Sequence, residues 1–416
     1  MHAQTSSRTT NPWLIVAIGL GAIIFDGYDL IVFGSIVPDL LAHPGWGLTP
    51  ASVGVLGSYA LMGMLVGALI CGPLADRFGR KTVFVTCLAW YSVLALVSAF
   101  SPTPEFFGMV RFLAGLGFGG IGPVVVALVM EAVPAGRRNL MSTVVLCGLP
   151  IGGVLAALAA LTLKPMIGFR GLLAFGGIAL VTIVPMAIKW LPETQGRVVR
   201  QRTGWGKIAA DVSRAPFALA VFSILMFTGF FLVFGLNTWL PKLMTNAGYD
   251  LGSALGFLLV LNLGAVIGGL VGSRIADKHH PKTATWLAFA VASVSVMALG
   301  MKSPVIILYA LVFIAGAAAI GAQMMTYNYS AAWFPQDIRG TALGLTSGVG
   351  RLGAILGPII GGLILDEGLG LGWSFGVFTF AAVVATIACV VLPRPVGKLA
   401  GPSDETATTP SLARQH

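Results

Sequence analysis

The sequence predicts an all-α membrane protein with twelve transmembrane helices in two pseudo-symmetric six-helix halves. Its 416 residues are 56% hydrophobic and only 10% charged, with a mean hydropathy of +0.91, a balance that soluble domains of this length do not reach. Apolar segments close to the length of about 20 residues that crosses a bilayer recur along the chain. Similar residues also recur at one fixed offset, which indicates an internal repeat.

The apolar segments follow one another with short polar connections. The 55 glycines suit the close packing of transmembrane helices, where small residues let two backbones approach. The predicted segments cover approximately 13–40, 51–74, 82–100, 105–129, 140–163, 168–191, 216–244, 251–275, 283–301, 304–329, 340–365 and 371–392.

The two halves are related by an offset of 201 residues. Asp76 and Asp277 share this spacing, and so do Lys81 and Lys282. The further matches are Pro134 with Pro335, Arg138 with Arg339, and Leu191-Pro192 with Leu392-Pro393. Two halves in the same orientation imply a pseudo-two-fold axis along the membrane normal, with a central site that opens alternately to either side.

Polar stretches divide and orient the chain. We expect a cytoplasmic tail at 1–11, a six-helix half at 12–191, a cytoplasmic linker at 192–215, a second half at 216–393 and a tail at 394–416. Most lysines and arginines share one side if both termini are cytoplasmic, which the positive-inside rule favours. We therefore expect a multi-pass monomer in the lipid bilayer of the plasma (cytoplasmic) membrane. The net charge of +10 reflects basic loops rather than nucleic-acid binding.

The sequence predicts no cofactor and no metal site. Its four cysteines lie in or beside apolar segments without metal-ligand spacing, so we interpret them as packing residues. None of the five histidines lies within a segment. A membrane enzyme is disfavoured because no nucleophile constellation or metal cluster lies at membrane depth. A receptor or scaffold remains an alternative, although its buried charges would be a cost without a use.

The first segment carries two carboxylates, Asp26 and Asp29, on one helical face. Gly27 lets another backbone approach, and Tyr28 adds a ring with a polar tip. Burial and a like-charged neighbour both favour the protonated form of a carboxyl group. We predict that this pair couples transport to protons. The alternative is that one carboxylate only anchors a helix, and the spacing does not rank the two.

Two arginines also lie within apolar segments. Arg111 is about 9 Å deep and Asp29 about 13 Å deep from the same side, so the two can meet. Arg351 lies about 17 Å along segment eleven, near the midplane, and Gly353 with Gly357-Pro358 predicts free space beside it. A guanidinium fork matches a carboxylate, so we predict that Arg351, and secondarily Arg111, binds an anionic substrate. The alternative is two structural ion pairs.

Polar and aromatic residues of the second half are candidates to line the same cavity. Rings would stack on an aromatic substrate, and amides or hydroxyls would bind its substituents. Each of these residues is also typical of contacts between helices or of the membrane interface. The full substrate-binding prediction is Arg351, Arg111, Tyr28, Asn237, Trp239, Gln323, Tyr327 and Asn328.

A carboxylate followed by a basic turn connects segments two and three. Asp76 can accept hydrogen bonds from the start of the next helix and pair with an arginine of the other half. Such a contact would act as a latch on the cytoplasmic side, whereas the alternative is a solvated basic loop. The stretch reads Gly72-Pro73-Leu74-Ala75-Asp76-Arg77-Phe78-Gly79-Arg80-Lys81.

This decapeptide resembles the signature loop of the major facilitator superfamily. Arg111-Phe112-Leu113-Ala114-Gly115-Leu116-Gly117, Glu131-x-x-Pro134-x-x-Arg137-Arg138 and Leu191-Pro192-Glu193-Thr194 also resemble that family. The second-half loop departs from the signature at His279-His280-Pro281, so its latch is expected to be weaker. The predicted gating set is Gly72, Asp76, Arg77, Gly79, Arg80, Lys81, Glu131, Arg138, Asp277 and Arg339.

Two further stretches resemble the aromatic acid:proton symporter branch of the family. They are Asp26-Gly27-Tyr28-Asp29 and Gly350-Arg351-Leu352-Gly353-Ala354-Ile355-Leu356-Gly357-Pro358. The resemblance implies uptake of a benzoate-like or hydroxybenzoate-like anion with protons, by alternating access. The alternatives are a proton-coupled exporter of drugs or metabolites and a symporter of a non-aromatic organic anion.

Overall fold

A computed structural model describes residues 11–134, 137–192, 215–278, 281–301 and 303–392. Within these ranges, twelve helices are long and apolar enough to cross a membrane, which confirms the predicted fold class. The expected tails and most of the linker lie outside the described residues. The helices are α1 (Pro12–Leu41), α2 (Pro50–Phe78), α3 (Arg80–Ala99), α4 (Pro104–Ala132), α5 (Arg138–Leu146 and Gly148–Thr162), α6 (Lys164–Phe175, a 3-10 turn Gly176–Leu180, and Ile183–Trp190), α7 (Pro216–Asn246), α8 (Leu251–Lys278), α9 (Pro281–Leu299), α10 (Val305–Trp333), α11 (Gln336–Asp366) and α12 (Leu371–Val391).

Several helices start at a proline that follows a capping residue. Thr49 accepts a hydrogen bond from the backbone N–H of Ser52, and Thr103 accepts one from that of Phe106. Proline lacks the N–H that the first turn leaves unpaired, and a threonine side chain satisfies one of the remaining donors. These local signals set the starts of α2 and α4, both of which carry residues of the site described below.

The repeat predicted from the 201-residue offset is present as a repeat of helix pairings. In the first half α1 packs on α5, α2 on α4 and α3 on α4. In the second half α7 packs on α11, α8 on α10 and α9 on α10. Between the halves α2 contacts α11 and α5 contacts α8, which are equivalent pairs, while α1 contacts α7. A pseudo-two-fold axis relates all of these pairings.

Glycines bring the two halves together on the side of the membrane away from the start of α1. A Cβ at Gly34 of α1 would collide with the backbone of Asn237 in α7, and one at Gly54 of α2 would collide with that of Pro358 in α11. On the side where α1 begins, by contrast, a Cβ at Gly344 of α11 would meet no atom of a described residue within 4 Å. The described conformation is therefore closed at one end of the interface between the halves.

Candidate functional site

Helix α1 holds both aspartates inside the protein. The side chains of Asp26 and Asp29 are only 2% and 0% exposed. A Cβ at Gly27 would collide with the backbone of Leu149 in α5, and one at Gly152 of α5 would collide with the carbonyl of Ile24. Because α1 and α5 touch backbone to backbone beside the carboxylates, neither carboxylate faces lipid at this crossing.

Asp29 forms an ion pair with Arg111 of α4. The guanidinium donates to the Asp29 carboxylate, and its Nη2 also donates to the Asp29 backbone carbonyl at 3.1 Å. The cation lies 5.9 Å from the centre of the Phe33 ring. Arg111 is 1% exposed. The pair lies wholly within the first half, and each charge is balanced by the other.

Asp26 is buried without such a partner. Its Oδ1 atom makes no hydrogen bond to any described residue. It lies close enough to Asp29 and to Arg351 to interact with both charges. An isolated buried carboxylate is costly, whereas its protonated form carries no charge. Within the described part of the chain, Asp26 thus lacks the direct ion pair that Asp29 makes.

Arg351 of α11 reaches across from the second half. Its Nη1 donates to the carbonyl of Met64 in α2 at 3.2 Å. Among the described residues no carboxylate lies within ion-pair distance of this guanidinium. Tyr327 of α10 is near enough to interact with it, and the hydroxyl of Ser347 donates to that of Tyr327 at 3.3 Å. Donors of the arginine are therefore available for an anion.

The space predicted beside Arg351 is not formed by Gly353. A Cβ at Gly353 would collide with the carbonyl of Phe227, because α11 lies directly against α7 there. Gly353 is the 201-residue counterpart of Gly152, which contacts α1 in the same way. Repeat packing accounts for this glycine, and the prediction of free space beside it was wrong.

Three residues of the predicted binding set make structural contacts instead. The Tyr28 hydroxyl donates to the carbonyl of Leu172 at 2.8 Å, and the fully buried indole of Trp239 donates to the carbonyl of Pro358 at 2.8 Å. Asn237 accepts a hydrogen bond from Asn262 at 2.8 Å and donates to the carbonyl of Val233. These polar groups are occupied in contacts within and between helices, so the structure does not group them with Arg351.

The remaining predicted residues lie on α10. The side chain of Gln323 is buried, that of Tyr327 is half-buried, and that of Asn328 is exposed. Gln323 and Tyr327 are separated by one helical turn and so share a face. Tyr327 is the member of this group that the structure brings near Arg351.

Sequence reasoning missed Tyr91 of α3. Its side chain is fully buried beside Phe118, with ring centroids 4.7 Å apart, and its hydroxyl has no hydrogen-bond partner among the described residues. It interacts electrostatically with Asp26 and Asp29. The feature of the sequence that could have identified it is a tyrosine hydroxyl within an apolar segment, which is a weaker indication of function than a charged side chain.

Six of the predicted gating residues lie at the end of α2 and the start of α3. Arg80 forms an ion pair with Glu131 of α4, and Gly79 adopts a φ of 89°, which favours glycine. Asp76 and Arg80 line a cavity of about 340 Å³ together with Gly72. Arg77 stacks on Phe78, Lys81 is half-buried, and Arg339 donates to the carbonyl of Phe334 at 3.2 Å. The side chains of Arg138 and Asp277 lie outside the described residues.

Comparisons with known proteins identify the family. The Major Facilitator Superfamily matches residues 19–329 and 263–415. The gentisate transporter of Corynebacterium glutamicum is 38% identical over 393 residues, covering 91% of this chain and 87% of that one. The benzoate transport protein of Acinetobacter baylyi is 32% identical over 456 residues, covering 99% and 97%.

The fold is also found among solved structures. The crystal structure of a D-xylose-proton symporter superposes with a TM-score of 0.75 at 17% identity, covering 93% of this chain and 99% of that one. At this identity the likeness concerns the fold alone. By its family match and its relatives, the chain belongs to the major facilitator superfamily of membrane transporters, which are not enzymes, and to the branch that contains the aromatic acid transporters.

Proposed function

We propose that this protein imports an aromatic carboxylate together with protons by alternating access. Relatives that transport gentisate and benzoate support an aromatic acid as the substrate. Both named substrates carry one carboxylate on an aromatic ring. A site for such a ligand needs a cation for the carboxylate, apolar walls for the ring and, for proton coupling, an acidic group that is buried nearby.

The observation that carries the proposal is a difference in bonding between the buried Arg111 and the half-buried Arg351. Arg111 is bound by Asp29, whereas Arg351 has only the Met64 carbonyl as its described hydrogen-bond partner. A substrate carboxylate would therefore bind Arg351, with two parallel hydrogen bonds to the planar guanidinium. Because Arg351 extends from the second half to a carbonyl of the first half, a ligand bound there would be sensed by both halves.

Asp26 is the proposed proton carrier. When it is ionised it balances the charge of Arg351, with which it interacts. When an anionic substrate occupies Arg351, a proton on Asp26 would remove the repulsion between the two carboxylates. One proton and one anion would then enter the same cavity with the charge balance preserved. Asp29 remains paired with Arg111 throughout this cycle.

Alternating access is supported by the interface between the halves, which is closed at the end where Gly34 and Gly54 lie. The positive-inside distribution assigns both termini to the cytoplasm, so the closed end would face outward. Asp76 lies at the opposite end beside the Arg80–Glu131 ion pair. In the outward-open state this loop would meet the second half as a latch. Asp76→Asn should then slow net uptake while leaving substrate binding intact, and loss of binding would contradict the role of a latch.

The direct test is uptake by purified protein in proteoliposomes. With an inside-alkaline pH gradient, labelled benzoate or gentisate should accumulate faster than in protein-free liposomes, where the undissociated acid enters by diffusion, and a protonophore should abolish the accumulation. An aliphatic carboxylate of similar size serves as the control for the ring. Accumulation without a dependence on the pH gradient would exclude proton symport, and equal transport of the aliphatic acid would exclude aromatic specificity.

A further inference from the structure

Two cysteines meet between the start of α3 and the end of α2. The sulfur atoms of Cys71 in α2 and Cys87 in α3 lie 3.6 Å apart, which is van der Waals contact. Cys71 also points toward the carbonyl of Leu116 in α4, with its Sγ 3.9 Å from that oxygen. The two residues are 16 positions apart and bracket the loop that carries Asp76 and Arg80.

Helix α4 makes room for both sulfur atoms. A Cβ at Gly120 would lie 2.5 Å from the sulfur of Cys71 and 3.0 Å from that of Cys87. Any larger residue at this position would force the thiols to move. On the α4 side the pair is therefore covered by the backbone of Gly120. The two sulfur atoms occupy the space that the side chain of any other residue at position 120 would fill.

The pair lies next to a route from solution. Gly72 and Ala75 of α2 line the cavity of about 340 Å³ beside Asp76, and Pro123 of α4 lines its opposite wall. Cys71 directly precedes Gly72, and Gly120 is three residues before Pro123. Cys71 and Cys87 are 7% and 8% exposed, whereas Cys389 is 0% exposed. The cavity wall therefore includes the residue that follows Cys71 in α2.

We propose that Cys71 and Cys87 form a reversible dithiol–disulfide site that fixes the end of α2 to the start of α3 in response to peroxide-class oxidants. In the first step one thiolate attacks a peroxide oxygen, the O–O bond breaks, and a sulfenic acid and water form. In the second step the other thiol attacks the sulfenic sulfur, an S–S bond forms, and a second water leaves. Two thiols lose two electrons and two protons, and the peroxide is reduced.

This role differs from the packing role expected of all four cysteines, and only this pair has the geometry for it among the described residues. Cys147 and Cys389 are lone buried cysteines in different halves. Disulfides facing the cytoplasm are typically transient and regulatory because cytoplasmic reductants restore the thiols. A crosslink here would close the loop that contains the proposed latch.

The test uses the purified full-length protein treated with hydrogen peroxide and then unfolded for alkylation of free thiols. Wild type should lose two of its four alkylatable thiols, dithiothreitol should restore both, and peptide mapping should find residues 71 and 87 joined. The matched control is Cys71→Ser/Cys87→Ser, which should keep its two remaining thiols under the same treatment. Cys147→Ser/Cys389→Ser should lose both of its thiols.

Three results would overturn the proposal. Wild type retaining four thiols under peroxide would mean that the pair is inert packing. Equal thiol loss in both double variants would mean unselective oxidation. Peptides carrying sulfinic acid at Cys71 or Cys87, without a crosslink, would mean that the second thiol does not resolve the first. Since thiol counting needs no transport, failure here is distinct from failure of the proposed symport.

Discussion

The two acid–base pairs of the site differ in whether their charged groups are in direct contact. Asp29 and Arg111 belong to one half and form a direct ion pair, although Asp29 Oδ1 and Arg111 Nε have no hydrogen-bond partner among the described residues. Asp26 and Arg351 belong to opposite halves and interact without a described hydrogen bond between them. The first pair therefore has the geometry of a structural ion pair. The second pair leaves room for a third charged group to bind.

The proposed alternating access accounts for this difference, because the first pair lies within one half and the second pair lies across the two halves. A pair within one half keeps its geometry when the halves rock against each other, so it can be closed permanently. A pair across the halves must tolerate a change of distance, so a closed ion pair there would oppose the motion. In the proposed function, the charge that stabilises the first half is thus separate from the charges that bind substrate and proton.

The largest effect is expected from Arg111→Ala. Removing the arginine leaves Asp29 ionised and unpaired in a fully buried position, which costs about 3–5 kcal/mol of folding stability. We expect a large loss of the monodisperse fraction after mild heating, measured by fluorescence-detected size-exclusion chromatography. Arg351→Ala is the matched control, because it removes a half-buried arginine of the site without breaking a direct ion pair.

The double variant Asp29→Asn/Arg111→Gln tests whether the unpaired charge of Asp29 causes the loss of stability in Arg111→Ala. It replaces both charges with neutral groups of similar shape, so most of the stability lost in Arg111→Ala should return. If Arg111→Ala is as stable as Arg351→Ala, the contrast between a closed and an open pair would have no energetic basis.

The second-largest effect is expected from Asp26→Asn and concerns the coupling of transport to protons. Asp26→Asn cannot exchange a proton, so we expect complete loss of accumulation driven by a pH gradient in proteoliposomes. Exchange of labelled for unlabelled substrate across the membrane should persist, because it needs no net proton movement. The comparison variant is Asp29→Asn, which should mainly lower stability by leaving Arg111 unpaired. Proton-driven accumulation in Asp26→Asn at the wild-type level would transfer the coupling role to Asp29.

A smaller and more selective effect is expected at Arg351. Arg351→Lys keeps the charge but loses the planar fork, and loss of one charge-assisted hydrogen bond costs about 1.5–3 kcal/mol, or roughly 10- to 100-fold in affinity. Arg351→Ala should lose at least as much. Binding measured by thermal shift for an aromatic acid and for its neutral amide separates the two explanations. Equal losses for acid and amide would identify Arg351 as a structural residue.

The contrast between the two pairs was only partly readable from the sequence. Twelve helices and the repeat were predictable because hydropathy and the 201-residue offset are properties of the linear chain. Asp26, Asp29, Arg111 and Arg351 were found because charge is rare in apolar segments. The depths of Arg111 and Asp29 also predicted that these two residues can meet, and they form an ion pair. That Asp26 and Arg351 form no direct ion pair depended on the packing of α1 and α11, which no spacing within one segment reveals.

The neutral polar residues were harder to assign for a physical reason. Transmembrane helices are apolar on most faces, so periodicity does not indicate which face meets protein. Trp239 was predicted to contact substrate but donates its N–H to the carbonyl of Pro358. Tyr91 was overlooked although it lies near both aspartates. In both cases the neighbour on another helix decides the role.

The smallest effect is expected from Tyr28→Phe, which tests whether Tyr28 is a structural residue or part of the substrate-binding site. Tyr28 lies between Asp26 and Asp29 in sequence, yet its hydroxyl donates to the carbonyl of Leu172 in α6. Removing one such neutral hydrogen bond costs about 0.5–1.5 kcal/mol of stability. The variant should therefore unfold at a slightly lower temperature, while its affinity for an aromatic acid and its proton-driven accumulation stay at wild-type levels. Tyr91→Phe is the matched comparison, because that hydroxyl has no described partner and its loss should cost less stability. If Tyr28→Phe instead weakens binding of the acid more than it lowers the unfolding temperature, the substrate contacts α1 itself, and the open site extends from Arg351 to the tyrosine between the two aspartates.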